Sequence, residues 1–207
     1  DNDGFDDVIT VDATTPAWAT TYLFPAVQSG SFPPDEIKDL RFTDLSPDAG
    51  KPGTGFTDFV TGDFNEDGFP DLAVAHGAVG EVWALLSSQY AIFDYAGKWK
   101  DVFTGKITGL AVADLNGDKH LDLVGANSIT GELMTWLGNG RGSFVRQRAI
   151  ALSVKPSAVT LADLNQDGSV DAVLTSAENG TISWLRGNGE GVFSGETGRA
   201  SCEKPQS

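Results

Sequence analysis

The sequence predicts an all-β chain, a β-propeller with four-stranded blades. Three observations carry this. First, an aspartate-rich loop recurs, with Asp63, Asp114 and Asp163 spaced 51 and 49 residues apart, the kind of period that short strands and glycine turns give a propeller. Second, each copy is flanked by β-branched and apolar runs of strand length, such as Leu72-Ala73-Val74-Ala75 and Val82-Trp83-Ala84-Leu85-Leu86. Third, no segment sustains apolar residues at i, i+3 and i+4, so almost no helix is expected.

Each repeat reads as four strands. One leads into the loop, one leaves it, one follows a glycine turn, and one follows a glycine-rich segment (Gly138-Asn139-Gly140-Arg141-Gly142-Ser143-Phe144 and Gly187-Asn188-Gly189-Glu190-Gly191-Val192-Phe193). A four-stranded sheet of this kind is one blade, and blades bury their faces on each other. The boundaries are a partial first blade at 1–57, with an inserted loop at about 28–57, then blades at 58–108, 109–157 and 158–200 and a tail at 201–207. The chain thus holds about three and a half to four blades. Missing sequence or another chain is expected to complete the ring. Strand candidates in the first blade are Val8-Ile9-Thr10-Val11, Trp18 to Val27 and a short one near Leu40-Phe42.

The loop puts oxygen side chains at positions 1, 3, 5 and 9 with glycine at position 6. Asp63, Asn65, Asp67 and Asp71 make the first full copy. Asp114, Asn116, Asp118 and Asp122 make the second, and Asp163, Asn165, Asp167 and Asp171 the third. Asp1, Asp3 and Asp7 form a shortened copy that lacks position 1, so the chain is expected to be a fragment, a processed product or one piece of a larger domain. Alternating oxygens on a tight loop suit a hard cation such as Ca2+, which takes six to eight oxygen ligands. An EF-hand is excluded. Its position 12 needs a bidentate Glu, and here that position is Val74, Gly125 and Leu174, each followed by strand-like sequence. In the copy at 114–122, Lys119 replaces the glycine at position 6, so this site is expected to be the weakest.

The formal net charge is −15. That field opposes nucleic acid and anionic membrane surfaces, so neither is an expected partner. Twelve of the carboxylates sit in the loops, where bound cations would offset them. No apolar run is long enough to span a bilayer. Cys202 is the single cysteine and reads as a free thiol or an interchain partner. Modest-affinity calcium loops suit a secreted, extracellular or periplasmic setting.

Asp-Xaa-Asn-Xaa-Asp-Gly-Xaa-Xaa-Asp, then Leu-Ala-Val, a glycine turn, a strand and Gly-Asn-Gly-Xaa-Gly-Xaa-Phe resembles the FG-GAP / VCBS-type repeat of integrin-α-like propellers and of several secreted lectins. The resemblance covers about residues 58–195 and, in part, 1–27. It implies a six- or seven-bladed ring with Ca2+ in the loop joining the first two strands of a blade.

For function, the sequence favours a calcium-binding recognition module, lectin-like, with carbohydrate or glycoprotein as partner. The alternatives are an integrin-α-like protein-binding adhesion module and the propeller of a larger secreted hydrolase or lyase. Trp83, Trp136 and Trp184 all fall on the third strand of a blade and are the candidate sugar platforms; their other reading is packing between blades. Asn139, Arg141, Arg186 and Asn188 are the polar candidates beside them. An enzyme is not expected. His76 and His120 are the only histidines and stand in different repeats, and metal-bound carboxylates have depressed rather than raised pKa values. Asn179-Gly180-Thr181 is a glycosylation sequon that a hairpin turn explains equally well.

Overall fold

The computed structural model describes residues 8–12, 20–24, 38–41, 56–77, 80–87 and 94–201, with backbone alone for 8–12, 20–24, 38–41 and 94–98. Every regular element among them is a β-strand, as alternating apolar runs and frequent turn residues dictate.

The first sheet has three antiparallel strands, β1 (Val8–Asp12), β2 (Thr20–Phe24) and β3 (Lys38–Arg41). The second, blade two, has β4 (Phe56–Gly62), β5 (Asp71–His76), β6 (Glu81–Leu86) and β7 (Asp94–Val102) in that spatial order. Blade three has β8 (Ile107–Ala113), β9 (Asp122–Asn127), β10 (Glu132–Gly138) and β11 (Phe144–Arg146), with the two-residue β12 (Ile150–Ala151) also on β10. Blade four has β13 (Ala158–Ala162), β14 (Asp171–Ser176), β15 (Thr181–Gly187) and β16 (Phe193–Ser201). Sequence order equals spatial order in each sheet, which is the up-and-down meander of a blade. Asp1, Asp3, Asp7, Cys202 and most of the 28–57 insertion lie outside the described residues.

Among the described residues two apolar layers join blades two, three and four. Between blades two and three lie Phe64, Ala73, Ala75, Val82 and Ala84 on one side and Ile107, Leu110, Leu123, Met134, Trp136 and Phe144 on the other. Between blades three and four lie Leu115, Val124, Ala126 and Leu133 against Ala172, Leu174, Leu185 and Phe193. Because side chains alternate along a strand, one blade serves two layers: Leu123 packs backward and Val124 forward.

The first strands are tied as well. Leu110 N–H of β8 donates to Asp58 Oδ2 of β4 at 2.7 Å. Gly109 on β8 lies so close to β13 that a Cβ there would meet Ala158 Cα and Val159 N at 2.8 Å.

Candidate functional site

The three full loops share one hydrogen-bond scheme. Position 1 accepts from the main chain at position 6: Gly68 N–H to Asp63 Oδ2, Lys119 N–H to Asp114 Oδ2 and Gly168 N–H to Asp163 Oδ2, each 2.9 Å. The position 3 amide oxygen accepts from position 5 (Asp67, Asp118 and Asp167 N–H, at 3.1, 3.1 and 3.0 Å). Its Nδ2 donates back to the position 5 carboxylate at 2.8–2.9 Å. Position 5 Oδ1 then accepts from position 7. These are Asx-type turns, in which a short polar side chain closes its own backbone. Each hydrogen-bonded carboxylate oxygen keeps a further lone pair. Main-chain N–H of Ser169 and the Asn165 amide hold the Asp167 carboxyl below its ordinary value. Among the described residues no three carboxylate or imidazole side chains converge into a closed metal cage. The donor set at positions 1, 3 and 5 is all oxygen on a preshaped loop, which is the chemistry a hard cation needs.

Position 9 does something the spacing did not reveal. Asp71, Asp122 and Asp171 are buried, at 0%, 0% and 1% exposure. One oxygen of each accepts N–H from position 2 of its own loop: Phe64 and Leu115 at 2.8 Å and Leu164 at 3.1 Å. The other accepts N–H at the end of the third strand: Ser87 at 2.7 Å, Gly138 at 2.8 Å and Gly187 at 2.9 Å. Position 9 thus staples its loop to the third strand. Burial pushes the Asp71 carboxyl up to about 6, against the pull of the N–H bonds from Ser87 and Phe64. Burial likewise raises Asp122.

The loop at 114–122 is not the poorer backbone. Positions 4 and 6 are both left-handed in all three copies: Glu66 (φ 59°) and Gly68 (88°), Gly117 (77°) and Lys119 (73°), Gln166 (61°) and Gly168 (87°). Lys119 does carry the left-handed cost the sequence assigns to it. Gly117 removes the same cost at position 4, which Glu66 and Gln166 bear. Each loop therefore has one glycine and one strained residue. This copy differs in the Lys119 charge and in Asp114 Oδ1, which accepts from Asn116 and Gly117 N–H, where Asp63 Oδ1 and Asp163 Oδ1 accept from position 5.

Among the described residues the glycine-rich segment docks blades three and four on the blade before each of them. Gly142 N–H donates to Phe64 O at 2.8 Å, and Gly191 N–H to Leu115 O at 3.0 Å. Both glycines are left-handed, at φ 74° and 76°. A Cβ would strike Leu86 Cδ2 from Gly142 and Leu137 Cδ2 from Gly191, each at 2.5 Å. Gly191→Ala is therefore expected to lower stability by about 1–3 kcal/mol through left-handed strain and crowding. Chemical denaturation measures it, and an unchanged midpoint would contradict the docking role.

A second link joins neighbouring loops. His120 at position 7 of one loop pairs through Nδ1 with Glu66 Oε1 at position 4 of the loop before it. The hydrogen bond to Glu66, reinforced by the surrounding carboxylates, raises the imidazole pKa above its ordinary 6.5. A raised histidine contributes fully below the unfolded pKa and loses its contribution as pH rises through the folded one. Melting curves from about pH 6 to about 8 should show this loss in the parent chain and not in Glu66→Gln. Equal pH slopes in the two proteins would dismiss the link. The pair is invisible in the sequence, because nothing in one repeat reports contacts with the next.

Two of the three tryptophans expected to form a sugar platform are enclosed. Trp83 is 1% exposed and Trp136 0%. Trp83 donates Nε1–H to Glu81 Oε2 at 2.8 Å, and Trp136 to Asp101 Oδ2 of the preceding blade at 2.8 Å. Trp184 is half-buried on the opposite face of its blade. Its offset from the loop differs in parity: 13 residues after Asp171, against 12 for Trp83 after Asp71 and 14 for Trp136 after Asp122. One residue of shift turns a strand side chain to the other face.

Asn139 and Asn188 act as turn formers. Asn139 Oδ1 accepts N–H from Arg141 and Ser143, and Asn188 Oδ1 from Glu190 and Val192. Arg141 and Arg186 are exposed, and the Arg186 charge helps lower the Asp167 carboxyl.

Residues 114–174 match the FG-GAP-like repeat. No curated protein matches the chain by sequence. Among solved structures, BBS1N in complex with ARL6DN shares 16% identity at a TM-score of 0.54, covering 93% of this chain and 58% of its own. A protein from Lactobacillus plantarum shares 12% at a TM-score of 0.65, covering 99% and 55%. The periplasmic gluconolactonase PpgL of Pseudomonas aeruginosa shares 10% at 0.57, covering 94% and 67%. At these identities the likeness is one of fold. The chain spans little more than half the length of the first two proteins.

Proposed function

We propose that this FG-GAP-type repeat propeller is an extracellular recognition module whose blades are braced by Ca2+ and whose ligand is a protein surface. The observation that carries it is the threefold repetition of one oxygen-lined loop, built to the same hydrogen-bond scheme in blades two, three and four. Positions 1, 3 and 5 would hold the cation: Asp63, Asn65 and Asp67; Asp114, Asn116 and Asp118; Asp163, Asn165 and Asp167. Main-chain carbonyls and water would complete its shell. The cation would offset part of the −15 charge and fix the turn between the first two strands of a blade. Its part in recognition is rigidity, not contact.

Protein is preferred over carbohydrate because two of the three tryptophans meant for a sugar are enclosed. One structural neighbour is itself a protein complex, BBS1N with ARL6DN. Carbohydrate binding keeps Arg141 and Arg186 as its candidates. Calorimetric titration of the metal-free chain with Ca2+ tests the first half of the reading, with about one ion per full loop expected. Loss of that heat when Asp67, Asp118 and Asp167 are replaced by Ala identifies the ligands. A titration without binding ends the calcium reading. A glycan array run with and without chelator tests the ligand class: chelator-sensitive sugar binding would restore the lectin reading.

A further inference from the structure

The seam between blades two and three and the seam between blades three and four are built alike, but only the second is filled at its outer end. Where the end of β7 meets β10 and the outer strand of blade three, a cavity of about 690 Å3 opens. The outer strand is broken there. β11 stops at Arg146 and β12 begins at Ile150, and between them Gln147 N–H returns to Thr135 O of β10 at 2.8 Å. Blade four has no such break, since β16 follows β15 from Phe193 to Ser201. At the corresponding place in its seam, Glu196 fills the space. Glu196 stands opposite Leu185 on β15, as Arg146 stands opposite Trp136 on β10. Its carboxylate accepts from Ser153 Oγ, from Ser153 N–H at 3.2 Å and from Ser183 Oγ at 2.6 Å. Arg199 Nη1 donates to Ser153 Oγ at 2.9 Å. In the earlier seam Met134 takes the place of Ser183 and Thr104 that of Ser153. Arg146 is tied to Asp101 Oδ2 at 3.1 Å and to Val102 O at 3.3 Å, and no such network forms.

Glu132 sets the charge of this cavity. Side chains alternate along a strand, so Glu132, Met134 and Trp136 share the side of β10 that packs on blade two. The Arg146 charge is offset by Asp101. Glu132 is half-buried, and among the described residues no cation reaches it. Its carboxylate has one partner there, Thr130 Oγ1, which donates to Oε2 at 2.6 Å. Buried Met134 and half-buried Phe103 and Ala149 supply the apolar lining.

We propose that this cavity binds a lysine side chain of a partner protein, an inference that rests on the reading of the ligand as a protein surface. A half-buried carboxylate without a counter-charge gains from a cation. The apolar lining suits a methylene stem, and the flexible Met134 side chain can adapt to its shape. Thr130 occupies Oε2, so one oxygen is left for the ligand. A single oxygen fits the point charge of an ammonium, whereas the guanidinium fork of arginine calls for both oxygens of a carboxylate. The volume exceeds what one side chain needs and falls in the range of about 300–1,000 Å3 usual for ligand sites. The residues beside the lysine therefore enter with it.

The peptide acetyl-Gly-Ser-Lys-Ser-Gly-amide is the probe, titrated in saturating Ca2+ into the isotope-labelled 207-residue chain and followed by amide NMR. Saturable shifts are expected at Phe103 and Thr104 and from Thr130 to Met134. Glu132→Gln keeps an acceptor for Thr130 and should leave the melting temperature unchanged while weakening the peptide by about tenfold or more. Val102→Arg, at a lining position that is 54% exposed, should weaken it by repulsion. Peptides with norleucine or ε-acetyl-lysine in place of lysine should not bind. A silent lysine peptide, equal binding of the norleucine peptide, shifts confined to the three aspartate loops, or an unchanged affinity in Glu132→Gln overturns the proposal. Spermidine that binds where the peptide does not also overturns it, in favour of a free polyamine. A silent peptide leaves the protein-surface reading standing, whereas chelator-sensitive glycan binding overturns that reading whatever the peptide does.

Discussion

Removing Ca2+ with excess chelator is expected to lower the melting temperature by on the order of 20 °C. The size follows from mass action. A cation that binds only the folded state at a hundredfold excess over its Kd stabilises by about 2.7 kcal/mol, and three loops together by about 8 kcal/mol. A chain of this length shifts by about 2–4 °C for each kcal/mol. The effect should be saturable and should return on adding Ca2+ back. Replacing one exposed ligand, Asp118→Ala, should remove about a third of the calcium effect and leave the metal-free melting temperature nearly unchanged, because the side chain bonds only within its own loop. A melting curve indifferent to chelator would remove the basis for structural calcium.

Asp122→Ala should be costly with or without calcium. Asp122 is fully buried, and its two oxygens accept Leu115 N–H and Gly138 N–H, both at 2.8 Å. Removing it leaves two donors without partners in a closed site. Each such loss costs about 1–3 kcal/mol, so about 2–6 kcal/mol in all. Against a typical total of about 5–15 kcal/mol, that is enough to unfold much of the population. The contrast with Asp118→Ala is the decisive measurement. If Asp122→Ala mattered only in the presence of calcium, position 9 would be a ligand and not a staple. If both variants lost the same stability in chelator, the division of labour within the loop would be wrong.

Asp71, Asp122 and Asp171 carry the same residue type as positions 1 and 5, and spacing alone does not show the staple to the third strand that position 9 makes. Burial and its two N–H bonds do. Position 9 is the first residue of β5, β9 or β14 and lies inside the blade, whereas position 5 stands at the exposed turn. The tryptophans divide for a related reason. Their offsets of 12, 14 and 13 residues look equivalent on a chain of about 50-residue repeats, but a strand has a period of two. The odd offset places Trp184 opposite the other two. That signal was present in the numbers and needed the strand alignment to be read. The Glu66–His120 pair left no such trace, because its partners stand 54 residues apart and meet only when two blades stack.

The sequence by itself determined the repeat, the all-β character, the four strands of blades two, three and four and the oxygen-lined loops. These are local properties, set by alternation, turn residues and spacing within about 50 residues. Only the tertiary structure decided which aspartates are buried staples, which tryptophans are core and which glycines dock one blade on the next. Those roles come from the stacking of blades, where burial and close backbone approach arise between residues that no local pattern connects. The same stacking exposes Leu164 while hiding Phe64 and Leu115 at the equivalent position, a difference that the residue types alone do not contain.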